Sequence, residues 1–407
     1  MMLPRTFPWR SESELLVWCA RISVSEALQT GIRQRVQEPL DWGVVLDLAG
    51  YHGVIPLLYR NLCSICPNLV PADTLTRLRQ KTQAGAMLNR SLAQELGGLC
   101  DAFAARGVPV IPIKGATLAA SAYGDVTLRD FSDLDLLIPE RAIGEAQAIL
   151  LAEGYGRKDP STDPVEANHE DGPYHVFVKN RTLFRVDLQW VMAHQHFTFQ
   201  LDRPEFWGNR TPVALGNKTV QALAPEELLI VLCVHGSKHA WEQLKWVCDV
   251  AEVLRSHPNL DWERILSNAS NWRCRRLVYM GLSLAHQVLD APLPKMVVAQ
   301  FTADSDVQMF SHRMPATLLA YHRDGVNEEQ AVALYFSLKD SWWERWRFGL
   351  MLCRDQSPMA TTPPAWFRWR TSLPRLARLV LFLHKAMRNL FPPTIRGVIN
   401  RWVEHSG

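Results

Sequence analysis

The segment Arg129-Asp130-Phe131-Ser132-Asp133-Leu134-Asp135-Leu136-Leu137-Ile138 alternates acidic and apolar side chains over its second half. In an extended strand, residues two apart share a face. Asp133 and Asp135 therefore project together, while Leu134, Leu136 and Ile138 turn to a core. Two adjacent carboxylates repel, and one of them resists ionisation unless a cation lies between them. Oxygen-only donors of this kind suit Mg²⁺. A third acid follows in Leu183-Phe184-Arg185-Val186-Asp187-Leu188-Gln189-Trp190, where Arg185, Asp187 and Gln189 share one face and Val186, Leu188 and Trp190 the other. If the two strands are neighbours, Asp187 joins Asp133 and Asp135 in a site able to hold two metals ~3.5–4 Å apart, an arrangement that clamps the attacking and leaving oxygens of a phosphoryl-type transfer. The competing reading makes the acids solvated edge residues.

Working outward, Val108-Pro109-Val110-Ile111-Pro112-Ile113 reads as a short buried strand after Gly107. Lys114-Gly115 then falls where that strand turns into a helix over Ala116 to Tyr123. Glycine allows close backbone approach, free amides at a helix start accept a phosphate, and Lys114 adds a point charge. Arg129 offers a forked contact to the same group, or else pairs with Asp130 or Asp133. Arg141 to Glu153 is helical in pattern and Gly154 caps it. Arg157 to Gly172 reads as a loop, and His175 to Lys179 as a further strand, joined to the third acid's strand through Asn180-Arg181. Residues 12 to 106 and the chain beyond Pro225 show helical spacing. These readings give three regions: N-terminal helices over 1–106, an α/β core over 107–224, and a helical C-terminal region with a basic tail over 225–407.

Lys114-Gly115, Tyr123, Arg129, Ser132-Asp133-Leu134-Asp135 and Val186-Asp187-Leu188-Gln189-Trp190 together resemble the nucleotidyltransferase superfamily that includes DNA polymerase beta. More closely, they resemble a bacterial branch of uncharacterised nucleotidyltransferases in which a Lys-Gly, an Arg, an Asp-x-Asp and a later Asp-x-His-Trp recur. Here Gln189 replaces that histidine, and Gly115-Ala116 lies eighteen residues before Asp133, where the superfamily usually has Gly-Gly or Gly-Ser about ten before. The resemblance implies an α+β fold with a small mixed-sheet core, metal bound by Asp133 and Asp135, and Asp187 completing the site and helping to deprotonate an acceptor. The expected reaction moves a nucleoside monophosphate from an NTP, such as ATP, to a small molecule, a protein or a tRNA, with Mg²⁺ or Mn²⁺ and release of pyrophosphate. Lys114, Gly115, Arg129 and Ser132 are the expected nucleotide-binding residues. The alternative is a chain that keeps the fold and binds nucleotide or a partner without transfer.

A second constellation, His235-Gly236-Ser237-Lys238-His239-Ala240-Trp241, precedes Asp249. His235 and His239 share a helix face, and with Asp249 they suggest a metallohydrolase, though neither an HExxH nor a His-Asp doublet is present. In the nucleotidyltransferase reading this helix presents Lys238 or His239 to nucleotide or acceptor. In the plainer reading Trp241, Leu244 and Val247 are core and the histidines bond locally.

Composition narrows the classes. The chain has 407 residues, 47% apolar and 21% charged, and a net charge of +3. From Trp366 onward eight basic residues face one acid, so the tail carries +7 and the preceding 365 residues −4. A protein that coats nucleic acid all over is excluded. The amphipathic run from Leu373 to Phe391 is a candidate contact for RNA or an anionic membrane, or a packing helix. The N-terminus lacks the apolar core of a signal peptide, and Leu228 to Val234 is far too short to span a bilayer. Eight scattered cysteines fit reduced thiols in a cytoplasm, and the Cys63/Cys66 pair lacks partners for zinc. Walker, Rossmann and nucleophile-elbow motifs are absent.

Overall fold

Among the described residues the N-terminal region is helical, as the apolar spacing predicts, with α1 (Ser11–Cys19), α2 (Glu26–Gln37), α3 (Trp42–Tyr51), α4 (Ile55–Ile65) and the long α5 (Ala72–Ala105). Ser25 and Asp41 cap α2 and α3 by accepting from free backbone amides. Pro67 and Pro71 separate α4 from α5. The structure, a computed structural model, describes residues 9–157, 174–179, 182, 184–194, 197–319 and 328–354. The basic tail, most of the Arg157–Gly172 loop and the Asn180-Arg181 turn lie outside the described residues.

The chain then builds β1 (Ile111–Pro112), α6 (Ala116–Ala122), β2 (Asp133–Leu137), α7 (Ile143–Ala152), β3 (Tyr155–Arg157), β4 (Tyr174–Lys179) and β5 (Arg185–Gln189). The five strands form one sheet in the order β1-β2-β5-β4-β3, with β2 and β5 parallel at its centre and the other neighbours antiparallel. The fold is thus α+β with a small mixed sheet. Leu134, Leu136, Val186 and Leu188 join Leu92, Leu96 and Phe103 of α5 and Ile149 and Leu150 of α7 in one buried cluster. Each such side chain contributes ~1.5–3 kcal/mol on full burial. A one-residue slip of β2 would drive its acids into that cluster, so the apolar face fixes which way the acids point.

Strand β1 is shorter than the apolar run 108–113, because Pro109 and Pro112 carry no amide for the ladder. Ile113 N–H still donates to Asp135 O at 3.1 Å, which sets Lys114 beside the acids. Two hairpins go beyond the sequence reading: β6 (Val191–His194) with β7 (Phe197–Gln200), and, after the short α8 (Pro204–Gly208), β8 (Arg210–Leu215) with β9 (Lys218–Leu223). Gly216, with φ +63°, supplies the left-handed residue that the second turn requires.

Helices α9 (Pro225–Lys238), α10 (Leu244–Ser256), α11 (Trp262–Asn271), α12 (Arg275–Leu289), α13 (Lys295–Ala303) and α14 (Ser305–Leu318) follow, with α9, α10 and α12 packed on one another. The apolar run Leu228–Val234 is buried within α9. Trp241 is fully buried against Gly236 and Gly281, where the missing side chains leave room for its ring. Helices α15 (Glu328–Ser337) and α16 (Trp342–Arg354) belong to a separate unit that begins at Glu328. Among the described residues no helix is long and apolar enough to cross a membrane.

The end of α3 grips the start of α10: Leu244 N–H donates to His52 Nδ1 at 3.3 Å and Lys245 N–H to His52 O at 3.1 Å. Burial pushes the His52 imidazole down to about 4 from its ordinary 6.5. The folded chain therefore keeps His52 neutral where the unfolded chain would protonate it. Its contribution is full above about 6.5 and is lost as pH falls towards 4. His52→Asn, whose amide oxygen can accept the same bond without titrating, is expected to flatten that part of the stability profile, measured by urea unfolding across the window.

Candidate active site

The two acid-bearing strands are direct neighbours. In the parallel β2/β5 pair Asp135 stands opposite Asp187, and Asp133 lies two residues back on the same face of β2. Asp133, Asp135 and Asp187 each offer a carboxylate oxygen within 4.8 Å of the others. Asp135 and Asp187 are buried at 4% and 8% exposure, whereas Asp133 is half-buried. A sheet central enough to bury its apolar face thus collects three carboxylates on the other, a placement tolerated only with counter-charge.

Nearby cations supply that charge. The Lys114 ammonium pairs with Asp135 and lies 4.0 Å from Asp133 Oδ2. Arg185 grips Asp187 with two donors, Nε at 2.6 Å and Nη2 at 3.2 Å. Gln189 Nε2 donates to Asp135 Oδ1 at 2.6 Å and so orients the central acid. Burial pushes Asp135 up to about 6; Asp133 and Asp187 add to the shift and Lys114 opposes it. Asp133 is held below the ordinary carboxylate range by Lys114 and, less strongly, Arg185. Burial works against the charge on Lys114, yet Asp133 and Asp135 more than offset it.

Gly115 caps α6 with φ +64°, a left-handed conformation that other residues rarely adopt, and lies against Asp133 O and the Phe131 ring. Ser132 is exposed just before β2. Arg129 departs from both readings of the sequence. It pairs with neither Asp130 nor Asp133; its Nε and Nη2, the two donors that would fork onto a phosphate, go to Asp249 of α10 at 2.7 and 2.8 Å. Tyr123 OH donates to the same carboxylate at 2.7 Å. From the other side Asn89 Nδ2 donates to Val126 O and Arg129 O, both at 2.8 Å. The lead-in to the acids is thus pinned between α5 and α10.

Lys238 ends α9 and His239 caps it. The charges of Asp135 and Asp187 reach Lys238, which burial and Lys114 hold below its ordinary range. His239 stacks on Trp246 with centroids 4.8 Å apart, and His235 meets His239 edge-on at 4.8 Å. The metallohydrolase alternative does not hold: both Asp249 oxygens are committed to Arg129. Among the described residues the one cluster of three metal-capable side chains is the aspartate trio. Trp241, Leu244 and Val247 are core, as the plainer reading has it.

A family described as an uncharacterised nucleotidyltransferase matches residues 38–290, a span that holds the sheet, the three acids and α9 to α12. The chain belongs to this family. Among solved structures, that of ANT(2″)-Ia in complex with adenylyl-2″-tobramycin is 15% identical, with 46% of this chain and 98% of that one covered and a TM-score of 0.33. A nucleotidyltransferase-like antigenic protein from Paracoccidioides brasiliensis is 16% identical, with 50% and 93% covered and a TM-score of 0.34. No curated protein matches the chain.

For this nucleotidyltransferase, sequence reading missed Asp249 as the partner of Arg129 and the part played by Gln189. Alternation puts Arg185 on the acid face but does not specify its grip on Asp187. The Arg129–Asp249 pair spans 120 residues, and no local pattern announces it.

Proposed function

We propose that the chain transfers a nucleoside monophosphate from an NTP to an acceptor hydroxyl, with release of pyrophosphate, using Mg²⁺ or Mn²⁺ held by Asp133, Asp135 and Asp187. The observation that carries this reading is the facing of Asp135 and Asp187 across neighbouring strands with Asp133 within reach of both. The residues suit a hard divalent cation: all donors are oxygens, and the buried Asp135 Oδ2 already meets a positive charge, the Lys114 ammonium. Such a cation supplies electrostatic stabilisation of charge developing on phosphate oxygens.

In the step proposed, the acceptor oxygen forms a bond to the α-phosphorus. The bond from that phosphorus to the α,β-bridging oxygen breaks, and pyrophosphate leaves with the electron pair. The acceptor proton passes to a carboxylate oxygen of Asp187, which Arg185 orients. Gln189 holds Asp135 in place, while Lys114, Gly115 and Ser132 flank the acids on the side assigned to the triphosphate. Lys238 and His239 are assigned to nucleotide or acceptor. Arg129 acts through Asp249 as a positioning residue. This reading places the chain in the cytoplasm, with the +7 tail a candidate contact for RNA or an anionic membrane.

The test incubates the protein and Mg²⁺ with acceptor pools of small molecules, proteins and tRNA, using NTPs labelled at the α- or the γ-phosphate. Label from the α-phosphate is expected in a product; transfer of the γ-label instead would overturn nucleotidyl transfer. The pairing of Lys114 and Arg185 with two of the acids favours a second reading, nucleotide binding without transfer. Lys114→Met separates the two. If a cation replaces the lysine, the variant is expected to melt several degrees lower in EDTA, and Mn²⁺ is expected to raise its Tm more than that of the wild type. Equal Mn²⁺ responses would favour the second reading.

A further inference from the structure

The cations around the acids are mostly committed: Lys114 to Asp135, Arg185 to Asp187, and Arg129 to Asp249. Lys245 differs. It lies in the first turn of α10, four residues before Asp249, and thus on the helix face that reaches the lead-in to β2. Its backbone is tied to His52 O. Its stem crosses Gly53, where φ is +64° and a Cβ would come within 2.7 Å of Lys245 Cδ, so the absence of a side chain there makes the groove in which the lysine lies. The ammonium is 6.0 Å from the Trp246 ring centroid, and among the described residues no carboxylate lies within ion-pair distance of it.

The surroundings make this placement costly. The side chain is half-buried, and burial together with Arg129 and Lys114 holds its pKa below the ordinary range. Its charge in turn helps to hold Asp133 low. Asp249 and Asp133 oppose that shift without pairing with the ammonium, and a partly desolvated ammonium with no direct ion pair gains most from a multiply charged anion. We propose that Lys245 binds the β- and γ-phosphates of the incoming nucleoside triphosphate, with Gly53 making room for its stem. This rests on the nucleotidyl-transfer reading and adds a triphosphate contact from the helical C-terminal region.

The test measures calorimetric binding, to the full chain, of a non-hydrolysable NTP analogue and of the matching nucleoside monophosphate, both with Mn²⁺. A hydrogen bond to a charged group contributes ~1.5–3 kcal/mol, so Lys245→Met is expected to weaken the triphosphate analogue about 10- to 100-fold. Monophosphate affinity is expected to change less than about threefold on the same argument, since the contact is with the distal phosphates. Lys245→Arg is expected to recover most of the loss, and the Tm of unliganded Lys245→Met is not expected to fall, because no ion pair is removed. Undiminished triphosphate binding by Lys245→Met, or equal losses for both ligands, would overturn the assignment while leaving nucleotidyl transfer standing. A wild type that binds neither nucleotide would overturn both.

Discussion

Asp135→Asn is expected to lower nucleotidyl transfer by about 10³-fold or more while leaving the fold intact, on the scale of losing a key group that stabilises transition-state charge. Asp135 is the most enclosed of the three acids, faces Asp187 and lies between Lys114 and Gln189. Asparagine keeps its shape and can still accept from Gln189, but it lacks the charge that a divalent cation requires. The isosteric change matters, since alanine would also remove the oxygens that meet Gln189 and the half-buried Lys114. The readout is label transfer beside a thermal melt. Activity within tenfold of wild type in a variant of unchanged Tm would remove Asp135 from the reaction.

The second large effect is on stability. Asp249 is 1% exposed and accepts from Arg129 twice and from Tyr123 once. Asp249→Ala strands a buried guanidinium, and breaking a buried pair in this way costs about 3–5 kcal/mol. Urea unfolding is expected to show that loss. Tyr123→Phe, which removes a single bond, is expected to cost about 1 kcal/mol. Replacing both partners, Arg129→Met with Asp249→Leu, is expected to recover much of the stability, because neither charge is then left buried alone. Transfer activity is expected to stay low in that double variant, since the lead-in to the acids loses its tie to α10. Full activity would show that the pair supports folding alone.

The acids were legible because a period of two is a local property: Asp133 and Asp135 interrupt an apolar strand at the same parity, and Asp187 does so again in β5. Their parallel register was not, because it depends on β4 lying on the far side of β5. The β8/β9 hairpin did carry a local signal, Gly216-Asn217 between alternating residues. Proline explains the shortened β1. Arg129 could not be assigned from the sequence because a forked donor suits a phosphate or a carboxylate equally, and the carboxylate it meets belongs to a helix of the C-terminal half. Lys245 was hidden for the same reason: its significance lies in Gly53 and His52, far away in sequence.

In the proposed reaction three acids from two strands form one cation-dependent transfer site. Its most direct test compares the wild type with Asp133→Asn/Asp135→Asn, checked for an unchanged melt, in α-labelled NTP, Mg²⁺ and the acceptor pools, reading labelled product and pyrophosphate together. The wild type is predicted to form both in equal amounts and the variant neither; equal labelling by the two proteins would contradict the account.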